Sequence, residues 1–214
     1  MQKILLACVA VFVPMAASAE GTVYLGGELR YETSDSADQT FAEGYVEYEA
    51  ASGIYAGLWL TTLGTDAAPD DYEYEPYFGY RGAFGGVDYD IGYGRYIDDH
   101  SGYCCGEAVL KLTYSAGDLL AFETDLAYGD SPSGSYSYAT QEIDFTITDQ
   151  IQPYLSGTWY DKDSNDSDEW KVGVNFAVND TTALDLAYHT YGYGSDLVSF
   201  AVSFDTDWAT LTGK

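Results

Sequence analysis

The side chains best suited to chemistry in this 214-residue chain are two histidines, a pair of adjacent cysteines and one dense acidic run. His189 shares a strand parity with Asp185, and Ser199 follows across the next turn, which brings a Ser–His–Asp trio to mind. Spacing argues against it. Asp185 is four residues from His189, ~13 Å along an extended strand, whereas a triad acid must sit within hydrogen-bond reach of its histidine. His189 is therefore expected to be a hydrogen-bonded interior histidine, and His100, in a polar stretch, a solvated one. The run Asp161-Lys162-Asp163-Ser164-Asn165-Asp166 looks superficially like a calcium loop. It lacks the glycine at the sixth place, and Val172 stands at the twelfth, where a bidentate glutamate belongs, so it reads as an acidic surface loop. Cys104 and Cys105 could pair with each other only as a strained, reducible ring. Intermolecular pairing or two free thiols are the alternatives. With only His100 and Glu107 nearby, a tight metal site is not expected there. No catalytic residue, metal or cofactor is expected, and the chain is not expected to be an enzyme.

Composition narrows the field further. With 35 acidic and 8 basic side chains, the net charge is -27. That balance argues against a nucleic-acid partner, which needs a basic face. An aromatic content of 16% argues against a disordered acidic chain. Three cysteines are too few for a disulfide scaffold. The length suits one all-β barrel.

The N-terminus has the pattern of an export signal: Lys3, an apolar run from Ile4 to Val13, then Ala17-Ser18-Ala19. Residues 1–19 are expected to be removed, leaving 20–214 as the mature domain. A lipoprotein signal at Leu6-Ala7-Cys8 fits less well, because only four apolar residues would precede the cysteine.

From Thr22 onward the sequence alternates with period two. Val23, Leu25, Gly27, Leu29 and Tyr31 share one parity, and Tyr24, Gly26, Glu28, Arg30 and Glu32 the other. Successive strand side chains point to opposite faces, so one face is apolar and the other charged. The same pattern marks about twelve segments, near 22–33, 40–51, 54–62, 71–81, 87–96, 108–115, 119–129, 135–147, 151–160, 169–178, 182–191 and 196–208. Their lengths are close to the ~9–11 residues of a tilted membrane-spanning strand. The connections alternate between polar, often longer stretches (Ser34–Gln39, Leu63–Pro69, Ile97–Glu107, Asp130–Gly134, Asp161–Asp168, Gly192–Ser195) and mostly tight turns. The apolar parity carries almost no charge and is built from large side chains, more than one soluble interior could hold. These features predict an all-β, antiparallel, up-and-down transmembrane β-barrel with lipid outside. Pro76 and Pro153 fall within strands and would mark bulges or strand starts.

The other parity then lines the lumen. It carries Glu28, Arg30, Glu32, Glu43, Glu47, Glu49, Glu73, Glu75, Arg81, Asp88, Asp90, Lys111, Glu123, Asp125, Lys171 and Asp185. A pore lined mainly by carboxylates attracts cations. The competing reading is an interior knitted by salt bridges with no through-path. Twelve strands lie between filled eight-stranded barrels and open sixteen-stranded ones, and inward Tyr24, Tyr45, Tyr55, Trp59 and Tyr77 would narrow the bore.

The stretch Ser52–Asp99 resembles the TorF-type porin family of exported bacterial proteins. The residues that carry it are Ser52-Gly53-Ile54-Tyr55-Ala56-Gly57-Leu58-Trp59, then Glu75 to Gly82 (EPYFGYRG), then Val87 to Tyr96 (VDYDIGYGRY). Leu29-Arg30-Tyr31 lacks the Arg-Gly that usually follows in the family. The chain also continues from Trp208 to Lys214, where outer-membrane barrels usually end on an aromatic residue. The resemblance implies an outer-membrane barrel with a pore role and carries no catalytic residue across. The expected function is a porin in the outer membrane of a Gram-negative cell, contacting its lipid and passing small, cationic solutes passively. The alternatives are a closed structural or adhesive barrel working through acidic external loops, and an integral membrane enzyme.

Overall fold

Alternating apolar and polar side chains become strands only if every strand finds neighbours on both sides, and here each one does. The computed structural model describes residues 21–35, 37–64, 69–132, 134–161, 167–192 and 196–212. Residues 1–19, the expected export segment, lie outside the described residues. Twelve strands follow one another: β1 (Gly21–Ser34), β2 (Asp38–Ala50), β3 (Ile54–Thr62), β4 (Tyr72–Phe84), β5 (Val87–Asp98), β6 (Gly102–Ser115), β7 (Leu120–Ser131), β8 (Gly134–Phe145), β9 (Ile151–Tyr160), β10 (Glu169–Asn179), β11 (Thr182–Tyr191) and β12 (Leu197–Asp207). A short helix, α1 (Trp208–Thr212), ends the described chain. Asp207 caps it by accepting from the Thr210 backbone N–H at 2.7 Å.

Each strand pairs antiparallel with its predecessor, and β1 pairs with β12, so the sheet closes into a barrel. Closure leaves no edge. The polar connections fall at one end, and the tight turns fall at the other together with both described termini. Gly85-Gly86 shows why a tight turn works. Both have positive φ, 62° and 84°, which a type I′ hairpin requires and glycine adopts without strain.

The register fixes which side chains share a face. Leu29, Phe78, Ile91, Tyr128, Val172, Leu186 and Phe200 are all exposed, on one parity of their strands. Among the described residues no large side chain is fully buried, so the interior is a polar layer rather than an apolar core. Outward polar groups are rare and satisfy each other: Thr124 donates to Gln141 Oε1 at 2.8 Å, and Gln141 Nε2 donates to the Glu123 and Glu142 carbonyls at 2.8 and 3.0 Å.

Two expectations need correction. The polar stretch 97–107 is not a long loop. β5 and β6 extend through it to a turn at Asp99–Ser101, so Cys104 and Cys105 lie in β6. A register shift beside Tyr96 pairs that residue with Cys105 and Ile97 with Tyr103, leaving Cys104 as the extra residue of a bulge. Polar composition suggested a loop, but the ladder across the bulge satisfies the backbone. Similarly, β4 runs on to Phe84, past the end expected at 81, and Gly85-Gly86 alone makes the turn to β5.

The prolines fit this ladder. Around Pro76, pairing with β5 skips from Tyr74↔Ile97 to Tyr77↔Gly94. Pro153 pairs with Val174 of β10, but on its other side the β8 pairing has already stopped at Asp144↔Tyr154. Neither proline interrupts a complete ladder, because each sits where a donor is not used.

Candidate functional site

The interior of the barrel gathers the charged parity of every strand. Its most tightly knit part surrounds Arg81 of β4. The guanidinium reaches Glu47 Oε1 at 2.5 Å, Glu49 Oε2 at 2.9 Å and Asp90 Oδ2 at 2.9 Å, from β2 and β5. Its carbon lies 4.0 Å from the centre of the Tyr55 ring. Glu47 is only 4% exposed, so Arg81 neutralises a carboxylate that water hardly reaches.

Aromatic rings fill the space around this cluster by lying over glycines. A side chain on Gly57 would collide with the Tyr77 ring, one on Gly79 with Tyr55, and one on Gly26 with Tyr45. Glycine on one strand thus makes room for a tyrosine on the next. Tyr45 and Trp59 stack with centroids 5.9 Å apart, and the Tyr45 hydroxyl donates to Asp205. These groups line a cavity of about 650 Å³.

The opposite side of the interior holds a cavity of about 300 Å³. Lys111 pairs with Glu123 at 2.8 Å, and Lys171 sits 4.8 Å from the Tyr154 ring centre. His189 bridges Ser199 and Glu169: Nε2 to Ser199 Oγ is 2.9 Å, and Nδ1 to Glu169 Oε1 is 2.6 Å. Ser199 was expected near His189, but the acid is Glu169 of β10 and not Asp185, which accepts instead from the Tyr154 hydroxyl at 3.0 Å. The order serine–histidine–carboxylate matches a nucleophile and its base. Access does not match. Ser199 is 3% exposed, and β1 and β11 pair with it on both sides. The backbone N–H groups around it belong to the sheet and are thus unavailable as oxyanion donors. The trio ties three strands together.

At the loop end, Asp70 accepts from the backbone N–H groups of His100 and Ser101 at 2.9 and 2.7 Å. The Ser101 hydroxyl donates to it at 2.5 Å. Those bonds, the hydroxyl first, hold its carboxyl below the usual range. Asp99 is pulled up by partial burial, yet the Asp71 N–H, His100 and the Tyr72 N–H bring it below its ordinary value. His100 is raised by its hydrogen bond and charge pairing with Asp99 at 3.0 Å. Ligand atoms of Asp70, Asp99 and His100 lie within 4.8 Å of one another, but the two carboxylates are already engaged in holding the turn. His100 is exposed as expected. Cys104 and Cys105 are free thiols. Most of the acidic run, 162–166, lies outside the described residues.

The expected lumen residues take these places. Glu28, Arg30, Glu43, Glu47, Glu73, Glu75, Arg81, Asp88, Asp90, Lys111, Glu123, Asp125, Lys171 and Asp185 all fall on the face opposite the exposed apolar one. The registers show this: Glu28↔Glu43, Arg81↔Asp90, Asp90↔Lys111, Lys111↔Asp125 and Lys171↔His189. Arg30 pairs with Glu28 and Glu32 along its own strand at 3.5 and 2.9 Å. The same face also carries residues not singled out from sequence. Glu107, 6% exposed, accepts from Tyr136 and Tyr138 at 3.0 and 2.9 Å. Glu142, Asp144, Glu169 and Asp205 join it. Parity could have found Glu142, Asp144, Glu169 and Asp205, whereas Glu107 was hidden by the loop assignment.

No protein-family model matches the chain, and no curated protein does. Solved structures do. The barrel has the fold of porins. A KdgM porin in complex with disordered oligogalacturonate matches with a TM-score of 0.68 at 12% identity, covering 84% of this chain and 98% of that one. A NanC porin matches with a TM-score of 0.61 at 13% identity over the same shares. At such identities the likeness is one of fold.

Proposed function

We propose that this protein is an outer-membrane porin of the TorF type, exported by residues 1–19, that passes small cationic solutes passively. The observation that carries this reading is the charge ledger of the interior. The four Lys and Arg side chains on that face are all occupied: Arg30, Arg81 and Lys111 by carboxylates and Lys171 over a ring. By contrast, Glu73, Glu75, Asp88, Glu142 and Asp144 have no ion pair among the described residues. Unbalanced negative charge inside a low-dielectric wall concentrates cations and excludes anions. The exposed apolar belt suits hydrocarbon, and closure satisfies the backbone there. Oligogalacturonate, the ligand of the KdgM complex, is a polyanion, so the shared fold is paired here with the opposite charge preference. No step of this function needs a cofactor.

The test is a planar-bilayer recording of the detergent-purified barrel in asymmetric KCl, after heat-modifiable gel migration confirms folding. Discrete conductance steps with a cation-selective reversal potential are expected. A folded barrel that gives no steps would overturn the channel reading and leave a closed structural or adhesive barrel.

A further inference from the structure

The charge ledger names the sign of a solute, and the larger cavity says more about its chemistry. Tyr45 of β2 lies opposite Trp59 of β3, and Trp59 lies opposite Glu75 of β4. A row of ring, ring and carboxylate therefore runs across three neighbouring strands, at the spacing where cross-strand partners touch. Tyr24, Tyr55 and Tyr77 line the same cavity, whose volume of about 650 Å³ suits a small organic molecule.

One organic cation is already held in this wall. The Arg81 guanidinium lies over the Tyr55 ring and is bound by Glu47, Glu49 and Asp90. A ring face plus carboxylates is the chemistry that recognises a weakly hydrated cation. Next to it, the Tyr45–Trp59–Glu75 row offers the same combination without a tethered occupant. Glu75 has no ion pair or hydrogen bond among the described residues, and it extends into the space that Gly94 leaves by lacking a side chain. The other base on the cavity wall, Lys111, is taken by Glu123.

We propose that the Tyr45–Trp59–Glu75 row binds organic ammonium ions, quaternary ones included, in preference to inorganic cations. The row deepens the channel reading and rests on it only in that the solute must reach the interior. Potassium, more strongly hydrated than an alkylammonium ion, gains less from a ring face. An alkylammonium ion gains both the ring quadrupole and the carboxylate.

Isothermal titration of the folded, full-length barrel in detergent with choline chloride, at constant NaCl, tests this. Saturable binding is expected, weakened about tenfold by Glu75→Gln and by Trp59→Leu, and less by Trp59→Phe. Quenching of tryptophan fluorescence in the unaltered protein gives a second readout should Trp59→Leu fail to fold. Absence of saturable binding in both readouts would overturn the proposal. So would equal binding of maltose that Glu75→Gln leaves unchanged, since that marks a sugar platform. KCl recordings on the same preparation separate the two readings. Steps without choline binding remove this site and keep the channel, whereas choline binding without steps does the reverse.

Discussion

Arg81 is the residue whose removal should be felt most. Arg81→Leu leaves Glu47 buried without a counter-charge, and the Tyr55 ring loses its cation. Breaking a fully buried pair costs ~3–5 kcal/mol. Because the Arg81 side chain is 38% exposed, water screens part of that, and a loss of about 2 kcal/mol is expected. Urea unfolding in detergent measures it, and adding Glu47→Gln should restore a large part. A double variant no more stable than the single one would mean that Glu47 does not depend on Arg81. The Asp70–Asp99–His100 turn predicts a pH window. The raised His100 contributes fully below its ordinary value near 6.5 and loses that contribution as pH rises through its folded value. The lowered Asp70 and Asp99 contribute above their ordinary value near 3.8 and lose it as pH falls through their folded values. Hydrogen-exchange protection of the His100 and Ser101 amides should therefore peak between these limits. Flat protection from acid to mildly alkaline pH would show that the turn is held by something else.

Between neighbouring strands, the unit of construction is tyrosine over glycine. In Gly79→Ala the new methyl would meet the Tyr55 hydroxyl at 2.3 Å and the Ile91 carbonyl at 2.5 Å. Overpacking of that kind costs about 1–3 kcal/mol. Gly85→Ala meets nothing within 4 Å, and its cost comes from the positive φ of the turn, about 1 kcal/mol. Comparing the urea midpoints of the two variants separates crowding from backbone strain; equal loss in a Tyr55→Ala background would rule out the ring as the obstacle. These pairs were not legible in sequence, because which glycine faces which ring depends on register across strands. The strands themselves were legible, since period two runs through most of each one and three of the tight turns carry glycine, at Gly53, Gly85-Gly86 and Gly117. Where a bulge interrupts the period, as at Cys104, polar composition was mistaken for a loop. The same limit hid the partner of His189. Parity within one hairpin placed Ser199 correctly, but Glu169 comes from the strand beyond, and only the register Glu169↔Tyr191 brings it alongside.

For the whole molecule, the face assignment follows from charge and size alone, while the path of a solute depends on how the rings pack inside. Replacing Glu73, Glu142 and Asp144 together by their amides should shift the bilayer reversal potential toward zero without changing heat-modifiable migration. An unchanged potential would place the selectivity elsewhere in the lumen. The seam between β1 and β12 is laddered from Tyr24↔Asp207 to Ser34↔Leu197, like any other pair in the wall. The barrel therefore has no structural beginning. A gene rewired so that a short linker joins residue 207 to residue 21, with new ends opened at the Gly85-Gly86 turn on the same rim, should give a circular permutant that closes into the same twelve-strand ring. Its solvent-facing bore would be unaltered even though a different pair of strands now meets at the break.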